Sequence, residues 1–95
     1  MTEMIRARIR VFGRVQGVFF RKYTRDKAVE IGNLFGYVQN VRDGTVEVIV
    51  EGEKDRIEAL LLWCKTEGSP WSRVREVKVD WDKPMGDLPR FGISY

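Results

Sequence analysis

A chain of 95 residues, 43% hydrophobic and 33% charged, has apolar material for one domain with a modest core. Its net charge of +3 suits the handling of small anions and is too mild, alone, to argue for nucleic-acid binding. Histidine is absent, which excludes imidazole bases, phosphohistidine chemistry and histidine-ligated zinc, and no apolar run nears the roughly 20 residues of a membrane span.

In chain order, Met4 to Phe12 alternates: Ile5, Ala7, Ile9 and Val11 on one side, Arg6, Arg8 and Arg10 on the other, the pattern of a half-buried strand. Gly13 to Val18 breaks that alternation with glycines at 13 and 17 and reads as a loop. From Phe20 the period becomes helical, with Phe20, Thr24, Ala28 and Ile31 on one face and Gly32-Asn33 as a left-handed stop. Leu34–Val41 and Thr45–Glu51 are β-rich runs around Asp43-Gly44, a strong hairpin signal. A second helix is expected after Gly52, with Ile57, Leu60, Leu61 and Cys64 as its stripe and Gly68-Ser69-Pro70 as its end. Val77, Val79 and Trp81 form another alternating strand; Val74 is out of parity, as at a bulge. Phe91 to Tyr95 fits a short edge strand.

The order β-α-β-β-α-β with a terminal strand predicts an α+β ferredoxin-like sandwich: an antiparallel sheet with both helices on one face, residues 1–95 forming one domain. The other sheet face would carry Arg6, Arg8 and Arg10 beside Glu47 and Glu51 as a solvated charge lattice. No signal-peptide core opens the chain, and the lone Cys64 lacks an internal disulfide partner, so the expectation is a cytoplasmic protein.

The loop before the first helix is where chemistry concentrates. Gly13 and Gly17 allow main-chain N–H groups to converge, and the helix adds unpaired N–H groups and the positive end of its dipole. Arg21, in the first helical turn, can fold its guanidinium over that nest and hold phosphate oxygens bidentately. A cation is electrostatically misplaced at a helix N-terminus unless an anion normally sits there. Spacing alone fits either an anion nest or an ordinary turn.

The run Val11-Phe-Gly13-Arg-Val15-Gln16-Gly17-Val18-Phe-Phe20-Arg21 resembles the first signature of the acylphosphatase family, position for position. Gly36-Tyr37-Val38-Gln39-Asn40, then Gly44, Val46 and Gly52, is similar to the second. Gly68-Ser-Pro70 to Val74, Val77 to Trp81, and the ending Phe91-x-Ile93-x-Tyr95 extend the likeness over the chain; Trp71 departs from it, where a smaller residue or proline is expected. The resemblance implies hydrolysis of acyl phosphates, with Arg21 binding the phosphate and Asn40 orienting the attacking water. Backbone N–H groups of Arg14, Val15, Gln16, Gly17, Val18, Phe19 and Phe20 would line the cradle. It implies a small-molecule substrate, inorganic phosphate as product and competitive inhibitor, a monomer, and no cofactor, metal, nucleic acid or membrane.

Other motifs read as structural. Cys64 shares the apolar stripe, and a Cys-x5-Arg phosphatase loop would need an arginine where Pro70 stands. Asp80-Trp-Asp82-Lys-Pro84 lacks the remainder of an aspartyl-phosphate motif. Two rival functions share the element order or the nest. An RNA-recognition motif would need aromatics on the open face of the central strands, where arginines and glutamates stand here. A non-catalytic anion sensor, or a domain of a larger carbamoyl-phosphate-handling protein, would use the same loop without turnover.

Overall fold

The computed structural model describes residues 3–95. Its elements are β1 (Met4–Arg14), α1 (Phe20–Ile31), β2 (Phe35–Asn40), β3 (Val46–Glu53), α2 (Lys54–Thr66), β4 (Arg73–Asp82) and β5 (Gly92–Ile93). The sheet order is β4-β1-β3-β2-β5, so each βαβ unit is split by a strand of the other. This is the expected ferredoxin-like sandwich. Pairing is antiparallel among β1 to β4, whereas β5 joins β2 in parallel, making the sheet mixed rather than wholly antiparallel.

Sequence parity sets the core. Ala7, Ile9 and Val11 lie opposite Val50, Val48 and Val46 across the β1–β3 ladder, and all six are fully buried. The helices cover that face with Phe20, Thr24 and Ala28 from α1 and with Ile57, Leu60, Leu61, Trp63 and Cys64 from α2. Each fully buried aliphatic side chain of this kind contributes roughly 1.5–3 kcal/mol. Burial pushes the Cys64 thiol up to about 12, so the sulfur is an apolar packing group.

The punctuation falls close to where the residues placed it, although β1 takes in Gly13 and Arg14, which the broken alternation assigns to the loop. Gly32 (φ 83°) and Asn33 (φ 55°) end α1 in the left-handed region, and the Gly32 N–H donates to Ala28 O. β3 runs two residues beyond Glu51, because Gly52 and Glu53 pair with Ile5 and Met4, and α2 starts at Lys54. The β1–β4 register slips between Phe12 and Gly13, which face Glu76 and Val74; the extra residue, Arg75, is the bulge that the parity of Val74 indicated.

The open face carries the charge lattice. Arg6 reaches Glu51 at 2.7 Å, Arg10 reaches Glu47 at 3.2 Å and Asp43 at 3.3 Å, and Arg8 lies 4.0 Å from Glu47. Glu51 is not solvated, which corrects the expectation: it is 4% exposed, because the segment after β4 folds over it and donates the N–H groups of Met85 and Gly86 to its carboxylate.

Candidate active site

Strand directions decide what meets at one edge of the sheet. β1 and β2 both run antiparallel to β3 and therefore parallel to each other, and β5 runs parallel to β2. The end of β1, the start of α1, the end of β2 at Asn40 and the chain end at Tyr95 thus share that edge. β4 is antiparallel to β1 and begins there, opposite Arg14.

A cleft of about 580 Å³ opens at this edge. It is lined by Val15, Gly17 and Phe19 of the loop after β1, by Phe20 at the start of α1, and by Asn40, Ile93 and Tyr95. Asn40 shares the parity of fully buried Val38, so it projects to the helix side of the sheet although it is itself exposed.

The loop is clamped at both sides. Val15 and Val18 are 1% and 5% exposed and anchor it to the core. Gln16 stretches across to the β2–β3 hairpin and donates its amide to Val41 O (2.7 Å) and Thr45 O (2.9 Å). Ser69, buried after α2, donates its hydroxyl to Val18 O at 2.7 Å. Each is a buried or half-buried contact of the kind that fixes backbone conformation. Gly17 takes φ 73°, which a glycine adopts without strain.

The N-terminus of α1 is left uncapped. Phe19 at the N-cap is left-handed (φ 60°), no side chain caps the helix, and its first turn holds no acidic residue. Tyr23 N–H to Phe19 O is the first helical bond, so the N–H groups of Phe20, Arg21 and Lys22 have no helical partner. Three cations, Arg21, Lys22 and Arg25, line the cleft, and no acidic side chain does among the described residues. Lys22 and Arg25 share Asp26 at 2.8 and 3.1 Å, and hydrogen bonds from those two cations hold the Asp26 carboxyl below its ordinary pKa. Arg21 has no carboxylate partner among the described residues; its guanidinium lies 5.0 Å from the centre of the Tyr95 ring.

The residues singled out from sequence divide here. Arg21, Asn40, Val15, Gly17, Phe19 and Phe20 come together around the cleft. Gln16 and Val18 stand behind it as clamps, and Arg14 ends β1 opposite Arg73, away from the cleft lining. Ser69 and Tyr95 were not singled out as site residues. Both lie in stretches that resemble the family, but their contacts join segments distant in sequence. Among the described residues no cluster of three or more cysteine or acidic side chains is placed to hold a metal ion.

Comparisons with known proteins show the family. The family model described as Acylphosphatase matches residues 7–93. The chain belongs to the acylphosphatase family. An acylphosphatase of Anaeromyxobacter dehalogenans is 46% identical over the whole of both chains. One from Thermococcus kodakarensis is 45% identical over 88% of this chain and 90% of its own. The crystal structure of acylphosphatase from Bacillus subtilis superposes with a TM-score of 0.89 at 36% identity, covering 96% of this chain and 99% of that one. As an acylphosphatase, the enzyme hydrolyses acyl phosphates, small-molecule substrates. Among the described residues no helix is long and apolar enough to cross a membrane.

Proposed function

We propose that water attacks the phosphorus of an acyl phosphate in line with the carboxylate leaving group, with the phosphate held by backbone N–H groups of residues 15–20 and by Arg21; Arg14, expected in the cradle, belongs instead to the β1–β4 ladder. Asn40 orients the water. One observation carries this reading: Arg21 stands at an uncapped helix N-terminus, without a carboxylate partner among the described residues, in a cleft that Asn40 also lines. An anion there gains both the guanidinium and the helix N–H groups.

Phosphoryl transfer of this kind needs positioning and stabilisation of charge on the equatorial oxygens more than covalent chemistry. The water oxygen bonds to phosphorus, the bond from phosphorus to the carboxylate oxygen breaks, and the proton of the water passes to a phosphate oxygen. The carboxylate leaves unaided, since its conjugate acid has a pKa of only ~4. An alkoxide, whose parent alcohol is a far weaker acid, would call for a general acid or a metal, and neither is part of the proposed site.

The proposal comprises a monomer of one domain acting in the cytoplasm, independent of metal, with inorganic phosphate as product and competitive inhibitor and with no nucleic-acid or membrane partner. The test compares benzoyl phosphate with an alkyl phosphate on one preparation, with and without EDTA. Turnover of the acyl phosphate alone, indifferent to EDTA and flat across neutral pH, is expected. Comparable turnover of the alkyl ester, or loss with EDTA, would contradict the mechanism.

A further inference from the structure

We propose that Phe19 and Trp71 form a ledge that binds the acyl group of the substrate, so that the enzyme favours acyl phosphates with aromatic acyl groups. This rests on the reading of the cleft as the phosphate site and adds to it the identity of the leaving side.

Phe19 and Trp71 are 63% and 60% exposed, yet their rings meet edge to face with centroids 5.9 Å apart. Phe19 lines the cleft, and its left-handed backbone joins the loop to the uncapped helix. The ledge is therefore continuous with the place where the phosphate is held.

The position of Trp71 is built rather than incidental. It sits in the turn between α2 and β4, where the Ser72 N–H and hydroxyl both donate to Ser69 O, at 3.0 and 2.7 Å. Ser69 in turn donates to Val18 O, the carbonyl just before Phe19. A Cβ on Gly68 would lie 3.1 Å from the Phe20 ring, so this turn packs directly on the residue that follows Phe19. The turn carrying one ring is thus fastened to the loop carrying the other.

Trp71 also borders a hollow with Arg14, Pro70, Ser72 and Arg73. Neither arginine has a carboxylate partner among the described residues, so the ledge is rimmed by positive charge. An aromatic or anionic acyl group suits that rim; a cationic one does not. The methyl of an acetyl group offers little surface to either ring, whereas a phenyl group can cover both.

The experiment measures kcat/KM for benzoyl phosphate and acetyl phosphate on wild type, Trp71→Ala and Trp71→Phe. Trp71→Ala is expected to lower the benzoyl value roughly two- to tenfold and leave the acetyl value unchanged, with Trp71→Phe restoring much of the loss. An unchanged benzoyl-to-acetyl ratio in Trp71→Ala, with both substrates turned over, would overturn the ledge alone. Failure of wild type to turn over either substrate would overturn the phosphatase reading and the ledge with it.

Discussion

The hydroxyl of Ser69 and the carbonyl of Val18, 51 positions apart in the chain, are joined by a buried hydrogen bond of 2.7 Å. It ties the turn after α2 to the loop proposed to cradle the phosphate. Ser69→Ala leaves the buried Val18 carbonyl short of this partner. The expected loss is about 1–3 kcal/mol of stability, together with a lower kcat/KM for benzoyl phosphate. Urea unfolding and steady-state kinetics on the same preparation check both. An unchanged kcat/KM would mean that the clamp does not shape the cradle.

Gly13 and Gly17 are expected to respond differently to the same substitution. Both have positive φ, 128° and 73°. An added Cβ at Gly13 would lie 2.1 Å from Arg73 O and would force β4 away from β1. At Gly17 it would meet nothing within 4 Å, leaving only the backbone penalty of roughly 1–2 kcal/mol. Gly13→Ala is therefore expected to cost on the order of 4 kcal/mol, at least about twice the cost of Gly17→Ala. Chemical denaturation of the two variants gives the comparison, and equal losses would contradict the placement of Gly13 against β4.

Stability in acid should depend on Glu51. Burial disfavours its charge, but the N–H groups of Met85 and Gly86 and the guanidinium of Arg6 outweigh that and hold the carboxyl below its ordinary value of 4.5. A lowered pKa in the folded state means that the unfolded chain takes up this proton first. The stabilisation is full above the ordinary carboxylate range and is lost as pH falls through 4.5 and then through the lower folded value. Glu51→Gln should therefore flatten the acid limb of a plot of Tm against pH. Parallel acid limbs for wild type and variant would remove Glu51 from the acid response.

Much of this was legible in the residues, and what was not shares a cause. Alternation from Ile5 to Val11 and from Val46 to Val50 marks two strands and their inward faces, because a sheet covered on one side imposes period 2. The odd parity of Val74 located the bulge, and Gly17 and Arg21, from the stretch that resembles the family's first signature, do line the cleft. The parallel pairing of β5 was not legible, since strand direction depends on the path of the segment from Lys83 to Phe91 over the open face. The burial of Glu51 was hidden for the same reason, because its cover is backbone N–H from that segment. Ser69 and Trp71 escaped notice as partners of the loop because neither belongs to a periodic pattern that reports a contact so distant in sequence.

The central claim is that Arg21 holds the phosphate and Asn40 handles the water. Calorimetric titration of inorganic phosphate into wild type, Arg21→Ala and Asn40→Ala, with benzoyl phosphate turnover measured beside it, tests that division most directly. Both variants are expected to lose nearly all turnover. Arg21→Ala should also lose phosphate affinity by roughly tenfold or more, as removal of a charge-assisted hydrogen-bonding group implies, while Asn40→Ala keeps affinity close to wild type. Phosphate binding that survives Arg21→Ala, or that collapses in Asn40→Ala, would contradict the account.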